Sequence, residues 1–279
     1  MNEEKPPLPV VSIHGVPRSG TSWLGEIFNS NPYVAYRFQP LFAYSMRGSI
    51  TDCSNLEELS LFFNNALKTR DPFILQKGKS ALGPRIPFQK KKVRTLVLKM
   101  VRFHDLLPVF MKYPNFKAIL IIRHPCGVIN SWINTPREFD PDWPLTEWKH
   151  AVRKNQNKKE EWFGFEKWKE FLYLSHQLKR EYSNRVFLVS YEDLAKRREH
   201  YTKNLFHFSF GSNRIPMQTR AFLNQSESDQ KSAHNYSIIK SKSVIDAWDE
   251  ELPSAIKASI NTELSDIKQQ GLFPIPSLN

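Results

Sequence analysis

The stretch VVSIHGVPRSGTSWLGEIFNSNP, residues 10–32, joins an apolar run to a glycine-containing turn and then to a helical pattern. The apolar run predicts a buried β-strand, and the pattern after it predicts an α-helix. Gly15 and Gly20 permit backbone angles that other residues resist, so the amides of residues 19–23 can point inward at an anion. The first helical turn adds unpaired N–H groups and the positive end of the helix dipole. The stretch therefore predicts a phosphate-binding loop between a strand and a helix.

The turn lacks one residue of the loop that binds nucleoside triphosphates. In the pattern G-x-x-x-x-G-K-[ST], Gly15 and Gly20 fit and Ser22 takes the last position, but Thr21 replaces the lysine. Because that lysine stabilises charge during phosphoryl transfer, an ordinary kinase or ATPase is disfavoured. Arg18 is a cation earlier in the same turn. It suits a nucleotide whose 5′ end is bound by amides and hydroxyls while a guanidinium covers the group being transferred.

A second junction of this kind lies in KAILIIRHPCGVINSWI, residues 117–133. Its apolar run ends at Arg123, Pro125 suits the first position of a helix, and Ser131 follows the arginine by eight residues. Together the two segments resemble the sulfotransferases, which use 3′-phosphoadenosine 5′-phosphosulfate (PAPS) as sulfuryl donor. The resemblance implies that residues 17–23 bind the 5′-phosphosulfate and that Arg123 and Ser131 bind the 3′-phosphate.

A third motif extends the resemblance over most of the chain. RVFLVSYEDLAK, residues 185–196, is similar to a family strand that ends in Tyr-Glu-Asp-Leu, and the resemblance places Tyr191 against the adenine. Trp23 either stacks on the adenine, as the family residue does, or belongs to the core. Residues 25–29 and 36–40 resemble carbohydrate sulfotransferases most closely. The donor site implied in this way consists of Arg18, Ser19, Gly20, Thr21, Ser22, Trp23, Arg123, Ser131 and Tyr191.

Two cations are candidates for stabilising the charge that develops during sulfuryl transfer. Arg18 occupies a loop position that is lysine in many cytosolic relatives and arginine in glycan and tyrosine relatives. Lys99 ends an apolar run, as does a family lysine that contacts the sulfuryl group. The alternative interpretation of Lys99 is a solvated lysine at a strand terminus.

The general base is not at either position that the family would predict. Glycan relatives usually have a glutamate where this chain has Gln39, and cytosolic relatives have a histidine where it has Val101. His104 could reach the same space, and the pKa of an imidazole suits proton abstraction near neutral pH. Glu26, on the first helix near the donor loop, is the second candidate, although it could equally pair with a neighbouring cation. His14 and His124 adjoin the phosphate sites and could simply donate hydrogen bonds.

The chain carries 40 basic and 28 acidic residues among 279, a net charge of +12, which favours an anionic partner. Nucleic acid is disfavoured because no helix-turn-helix, zinc finger or aromatic sheet motif accompanies the charge. A basic stretch with Gly and Pro is predicted to be either a solvated loop or a surface that faces the acceptor. This stretch contains Lys77, Lys79, Arg85, Lys90, Lys91, Lys92 and Arg94. Lys240 and Lys242, before the last helix, could touch the 3′-phosphate.

The composition predicts a globular protein, and the resemblance implies a single sulfotransferase domain over residues 1–279. No run of eighteen apolar residues is present and the N-terminus is charged, so neither a transmembrane segment nor a signal peptide is expected. Two cysteines, Cys53 and Cys126, offer no disulfide framework and no metal-binding spacing. These features predict a cytoplasmic protein with free thiols and no metal, although many glycan-modifying relatives carry an N-terminal anchor.

The fold is predicted to be α/β, with a P-loop-like parallel sheet flanked by helices. Strands are expected at residues 10–14, 93–99, 118–122 and 186–190. Helices between them imply right-handed βαβ crossovers, which would bring both phosphate sites to the carboxyl edge of the sheet.

Three further segments of the predicted fold lie outside the sheet. A helical insertion is expected over residues 145–182, with its aromatic side chains in the core rather than around a ligand. A flexible lid over the donor is expected at residues 214–244, where apolar residues are few. A final amphipathic helix should begin at Pro253 and stop at Gly271.

Three functions compete for this pattern. The resemblance favours an enzyme that moves a sulfuryl group from PAPS to an acceptor hydroxyl, with a carbohydrate as the expected acceptor. A phosphoryl-transferring P-loop enzyme would need a lysine at Thr21 and an acidic magnesium ligand where Arg123 stands. A catalytically degenerate, nucleotide-binding relative is the other alternative, because the expected base is absent. The acceptor itself lies in loops that vary independently of donor chemistry.

Overall fold

A computed structural model describes residues 8–77, 87–228 and 246–277. Its centre is one sheet of five parallel strands in the order β2-β3-β1-β4-β5. The strands are β1 (Val10–His14), β2 (Val34–Phe38), β3 (Thr95–Met100), β4 (Phe116–Ile122) and β5 (Val186–Ser190). The register pairs Val10 of β1 with Leu96 of β3 and with Phe116 of β4. Because β1 is central, the carboxyl ends of β3 and β4 lie on either side of the loop that follows it.

The inner strands are buried at nearly every position because both faces of the sheet are covered. Val10 of β1 packs in a core with helices on one face, whereas Val11 and Ile13 pack with helices on the other. Alternation along the strand sends neighbouring side chains to opposite faces. This explains why the continuous apolar runs in the sequence identified the buried strands.

Helices flank both faces and connect the strands. The α-helices are α1 (Thr21–Asn29), α2 (Leu56–Lys68), α3 (Pro72–Leu75), α4 (Leu107–Phe110), α5 (Pro125–Ile133), α6 (Glu147–His150), α7 (Val152–Asn155), α8 (Phe165–Glu181), α9 (Tyr191–Lys196), α10 (Arg198–Phe210), α11 (Met217–Ser228), α12 (Trp248–Glu251) and α13 (Ser254–Gln269). Short 3₁₀ helices cover Pro40–Phe42 and His104–Leu106.

The predicted α/β class and parallel sheet are confirmed, with β1 and β5 at the predicted bounds. The third strand begins at Thr95 rather than at Val93, and Val93 is exposed. No apolar run predicted β2 as a strand; only the family resemblance indicated a strand near residues 36–40. The end of β2 is partly exposed at Arg37 and Phe38, so its sequence lacks the continuous apolar character of the inner strands.

The helical insertion is three helices, α6, α7 and α8, rather than one. Trp168, Phe171 and Leu178 of α8 are fully buried, which confirms their assignment to the core. The final helix is also confirmed: Pro253 precedes α13 as its N-cap. These elements follow the expected pattern because a regular apolar period over a long segment is a strong helix signal.

The prediction of a flexible lid is wrong for the part of that segment that the structure describes. Residues 217–228 form helix α11, and Phe222 and Leu223 on it are buried in the core that contains α1. The remainder of the predicted lid, with Lys240 and Lys242, lies outside the described residues, as do Lys79 and Arg85 of the basic stretch. Two adjacent buried side chains were too few to produce a recognisable period.

Candidate active site

The loop after β1 adopts the tight conformation that its glycines predicted. A Cβ on Gly15 would lie 2.8 Å from Ile121 Cγ2 and 2.9 Å from Thr21 Cγ2, so only glycine fits between β4 and the loop. Gly20 is the N-cap of α1 with φ of 86°, and among the described residues no side chain caps the helix. Arg18 also has a positive φ, 72°. The first N–H groups of α1 therefore remain available at the carboxyl edge of the sheet.

Arg123 joins the end of β4 to this loop. Its Nη1 atom donates a hydrogen bond of 3.0 Å to the carbonyl oxygen of Arg18. The guanidinium carbon lies 4.8 Å from the centre of the Tyr191 ring, and the whole side chain is buried. The indole of Trp168 donates to the carbonyl oxygen of Arg123 at 2.9 Å. The residue predicted to bind the 3′-phosphate is thus held directly against the predicted 5′-phosphosulfate loop.

Arg18 makes the second link between the two segments. Its Nε donates a hydrogen bond of 3.0 Å to Ser131 Oγ on α5. Its Nη1 lies 3.8 Å from Glu138 Oε1, in the turn after α5. Arg18 and Ser131, both predicted site residues, are therefore in contact. Arg18 also pairs with the Glu138 carboxylate, which the sequence did not single out.

Tyr191 follows β5 and lies directly over the donor loop. A Cβ on Gly20 would lie 2.4 Å from Tyr191 Cδ2, so the ring occupies the space that a larger residue would need. Trp23 meets the edge of the same ring, with the two centroids 6.3 Å apart and an interplanar angle of 78°. Trp23 is only 8% exposed, and the guanidinium of Arg198 lies 5.6 Å from its ring centre. Gly20, Trp23 and Tyr191 thus form one cluster around the loop.

Several buried polar atoms at this cluster test whether a phosphate-bearing donor fits. Within the part of the chain that the structure describes, Arg123 Nε and Ser19 Oγ are buried without a hydrogen-bond partner. Buried polar groups are nearly always paired, so each of these atoms calls for a ligand atom. Both atoms can donate a hydrogen bond, and phosphate oxygens accept hydrogen bonds. The site therefore fits a nucleotide with more than one phosphate group.

Trp248 is a further donor that sequence patterns did not reveal. Its ring stacks on His124 with centroids 4.5 Å apart, and its Nε1 is another buried atom without a partner among the described residues. A Cβ on Gly127 would lie 2.9 Å from Arg123 Nε and 3.2 Å from Trp248 Cδ1. The indole thus lies beside the guanidinium at the start of α5. A lone tryptophan in a short polar segment gives no sequence signal for this placement.

Lys99 is buried at the end of β3, with 3% of its surface exposed. Its ammonium lies 4.5 Å from the centre of the Phe38 ring, and its carbonyl oxygen accepts a hydrogen bond of 2.7 Å from the Gln39 amide. The alternative interpretation of a solvated lysine is therefore wrong. Burying an ammonium group costs free energy unless the group is paired with an anion or with hydrogen-bond acceptors.

His104, which the sequence offered as a candidate base, lies within the core. Its Nδ1 is 3.1 Å from His14 Nδ1, and its ring packs against Trp162 and Phe171 with centroids 4.8 and 4.4 Å away. His14 in turn contacts Ser12 Oγ through Nε2 at 2.7 Å. Burial lowers the pKa of His14 to about 3 and holds the pKa of His104 well below its ordinary value. Both imidazoles are neutral and enclosed, an arrangement suited to structure.

Glu26 also has local partners, and His124 does too. Asn29 donates to Glu26 Oε2 at 2.9 Å, one turn further along α1 from the donor loop. Lys90 lies close enough for Glu26 to raise its pKa, although burial dominates and lowers the pKa of Lys90 to about 8. The His124 ring accepts a hydrogen bond from the Cys126 amide, and burial lowers its pKa to about 4. The sequence alone could not show these contacts.

Gln39 replaces the expected glutamate and is held in place by a cation. Arg102 Nη1 donates to Gln39 Oε1 at 3.1 Å, and the Arg102 guanidinium lies 4.4 Å from the centre of the Phe42 ring. Phe73 contacts both Phe38 and Phe42 with ring centroids 5.4 and 6.1 Å away. Phe42 and Phe73 are each 41% exposed. An exposed aromatic surface therefore begins beside Lys99.

Over residues 8–77, 87–228 and 246–277, no group of three His, Cys, Asp or Glu side chains could hold a metal ion. No helix in those ranges has the length and apolar character needed to cross a bilayer.

The chain matches the family model of the sulfotransferase domain over residues 8–263. It therefore belongs to the sulfotransferase family, and the prediction of a PAPS-dependent sulfotransferase is confirmed. A search of curated protein sequences found no match.

Solved structures with the same fold are distant in sequence. Mouse sulfotransferase SULT7A1 complexed with PAP is 14% identical, with a TM-score of 0.55 over 95% of this chain and 85% of that one. The sulfotransferase domain of the Synechococcus PCC 7002 olefin synthase is 17% identical, with a TM-score of 0.55 over 98% of each chain. Retinol dehydratase with androsterone and the inactive cofactor PAP is 12% identical, with a TM-score of 0.54 over 98% and 83%.

Proposed function

We propose that residues 18–23 bind the 5′ end of PAPS and that Arg123 and Ser131 bind its 3′-phosphate. The observation that carries this proposal is the hydrogen bond from Arg123 to the carbonyl oxygen of Arg18, which brings the two anion-binding segments together. The unpaired Arg123 Nε and Ser19 Oγ support it, because both are donors at the same cluster. Trp248 is included as a third donor to the 3′-phosphate. Tyr191 and Trp23 are assigned to the adenine.

Arg18 and Lys99 are proposed to stabilise negative charge during the transfer. PAPS supplies the sulfuryl group. Arg18 lies in the loop where the 5′-phosphosulfate is expected, and its contacts with Ser131 and Glu138 orient the guanidinium. Lys99 reaches the same edge of the sheet from β3, and burial strengthens its interaction with an anion. His104 and Glu26 stay candidates for the base, although each has a hydrogen-bond partner within the fold.

We propose a carbohydrate hydroxyl as the acceptor. The similarity of residues 25–29 and 36–40 to carbohydrate sulfotransferases supports it, and so does the net charge of +12, which would attract an anionic glycan. The glutamine at position 39 marks a departure from that subfamily.

A second class of acceptor is favoured by the exposed aromatic surface. Phe38, Phe42 and Phe73 form a continuous line of rings that starts beside Lys99. Exposed aromatic side chains next to a site are suited to a flat apolar ring. A hydroxylated ring compound, such as a phenol or a sterol, is therefore the alternative acceptor.

Donor binding is tested by calorimetry with 3′-phosphoadenosine 5′-phosphate (PAP). We expect tight binding of PAP and much weaker binding of adenosine 5′-phosphosulfate, which lacks the 3′-phosphate. Equal affinity for the two nucleotides would contradict the proposed roles of Arg123 and Ser131.

Transfer is tested with radiolabelled PAPS against neutral glycans, anionic glycans, phenols and sterols. Labelling of a glycan supports the first acceptor class, and labelling of a phenol or sterol supports the second. PAP binding without any turnover would instead identify a catalytically degenerate relative.

We also propose a single domain over residues 1–279 and a cytoplasmic location. The location rests on the cysteines: Cys53 and Cys126 are both free, which suits a reducing compartment. Fractionation of cells that express the full chain, with protease protection, tests it.

A further inference from the structure

We propose that Glu138 is the general base of the transfer, an assignment that rests on the proposed sulfotransferase function. Glu138 lies in the turn that ends α5, where its amide donates to the Thr135 carbonyl oxygen at 2.8 Å. Thr135 Oγ1 donates in turn to the Ser131 carbonyl oxygen at 2.6 Å. The turn is thus closed against the helix that carries Ser131. This fixes the carboxylate relative to the donor site.

The carboxylate lies beside the cation that covers the transferred group. Glu138 Oε1 is 3.8 Å from Arg18 Nη1, while Arg18 Nε donates to Ser131 Oγ. A general base must lie within hydrogen-bonding reach of the acceptor hydroxyl that attacks the sulfur atom. Glu138 is joined to the donor loop by an ion pair with Arg18.

The second carboxylate oxygen is available for a proton. Among the described residues, Glu138 Oε2 is buried without a hydrogen-bond partner. A buried carboxylate oxygen in that state is costly and requires an explanation. An acceptor hydroxyl that donates to Oε2 would supply the missing bond. Oε1 faces Arg18, so the two oxygens have separate tasks.

The proposed step is a displacement at sulfur. The acceptor oxygen forms a bond to sulfur while the bond from sulfur to the bridging oxygen of the 5′-phosphate breaks, and the electron pair of that bond leaves on PAP. The acceptor proton passes to Glu138 Oε2. Arg18 stabilises the charge on the leaving oxygen. The Glu138 side chain is 28% exposed, so its proton can afterwards pass to water.

The test compares Glu138→Gln with the unmodified protein. Glutamine keeps the size of the side chain and cannot accept the proton. We expect kcat to fall by about 10²–10⁴-fold, the usual contribution of a general base. Turnover is followed as release of PAP from PAPS, with water and with the acceptors of the screen. PAP affinity by calorimetry should remain unchanged.

Two further variants distinguish a base from a positioning residue. Glu138→Ala should regain turnover when formate is added, because a small carboxylate can take the place of the lost base. Glu160→Gln is the matched control: it removes a surface ion pair with Arg47 and should leave turnover unchanged.

The outcomes separate this inference from the proposed function. Full turnover by Glu138→Gln overturns the base role while the proposed function stands. A fall in PAP affinity equal to the fall in kcat, without formate rescue, also overturns it, because Glu138 would then only position Arg18. If the unmodified protein binds PAP but releases none from PAPS, the proposed function and the base role fail together.

Discussion

The two halves of the carboxyl edge of the sheet are built differently. At the ends of β1, β4 and β5, the donor half, Arg123, Tyr191 and the glycine loop are buried and contact one another directly. At the ends of β2 and β3, the acceptor half, exposed rings surround a buried lysine. The donor half is therefore organised before a ligand arrives, whereas the acceptor half presents a surface.

This difference explains what motifs can reveal. A donor of constant shape requires constant residues at fixed positions on strands and helix ends, and such residues appear as short patterns. The proposed acceptor surface instead consists of the turn Pro40–Phe42 and of side chains from separate segments, including Phe73. Loops generally vary more than the elements they connect, so no short pattern identifies such a surface.

Among the variants that compare the two halves, the largest effect is expected in the donor half from Arg18→Ala. Loss of a cation at the transferred group should lower kcat by about 10²–10³-fold, as for other groups that stabilise developing charge. PAP affinity should change far less, because the loop amides remain. Steady-state kinetics and calorimetry measure the two quantities. Arg18→Lys is the control and should retain more turnover than Arg18→Ala, since it keeps the charge; equal kcat for the two variants would contradict the role.

A comparison of Arg123→Ala with Arg102→Ala tests the difference between the two halves directly. Both guanidiniums lie over aromatic rings, Arg123 over Tyr191 in the donor half and Arg102 over Phe42 in the acceptor half. Loss of a charge-assisted contact of about 1.5–3 kcal/mol should weaken PAP binding roughly 10–150-fold in Arg123→Ala. Arg102→Ala should leave PAP affinity unchanged and raise the KM for the acceptor. Similar PAP affinities in both variants would remove the distinction between the halves.

The pair His14 and His104 lies between the halves and should make stability depend on pH. Burial lowers the pKa of His14 from 6.5 to about 3, so below pH 6.5 the unfolded chain binds a proton that the folded chain does not. Stability is therefore lost as the pH falls from 6.5 towards 3, by about 2 kcal/mol for this histidine between pH 7 and 5.

Urea unfolding at pH 7, 6 and 5 measures this loss. His104→Phe, whose ring can pack between Trp162 and Phe171, should show a shallower pH dependence than the unmodified chain. An unfolding free energy that stays constant from pH 7 to 5 would show that the histidines are not enclosed.

Gly20→Ala should destabilise the donor half more than a matched glycine elsewhere. Gly20 and Gly211 both have positive φ, 86° and 71°, but only Gly20 faces a ring, Tyr191 Cδ2, 2.4 Å from the added Cβ. The backbone strain is common to both variants, so the difference reports the clash with Tyr191. We expect Gly20→Ala to lose about 1–3 kcal/mol more, as overpacked sites do, seen as a lower Tm. Equal Tm values would mean that the ring moves away freely.

The smallest effect is expected from Trp248→Phe. Phenylalanine keeps the stack on His124 and removes the N–H beside Arg123. Loss of one hydrogen bond of about 1 kcal/mol should weaken PAP binding roughly fivefold and leave adenosine 5′-phosphosulfate unaffected. Trp132→Phe is the control, since its N–H is also buried without a partner among the described residues but its ring packs on Phe139 and Phe163. Equal PAP affinities in the two variants would exclude Trp248.

Much of the fold followed from periodicity. The buried strands are continuous apolar runs, and α8 and α13 have regular apolar faces, so the sheet and the long helices were predictable. Helix α11 was missed because its buried Phe222 and Leu223 are adjacent rather than periodic. The sequence could not show the surroundings of the candidate bases for a related reason: a spacing in sequence does not tell whether His104 faces a cavity or packs on Trp162 and Phe171.

By itself the sequence determined the class of protein and the chemistry of the donor segments, because glycines, strand ends and the Arg123 to Ser131 interval have local physical requirements. Only the tertiary structure decided which side chains meet: Arg123 on the Arg18 carbonyl oxygen, Glu138 beside the Arg18 guanidinium, and Trp248 against His124. These contacts join residues that are distant in the chain. Their geometry depends on how strands and helices pack, which no local pattern records.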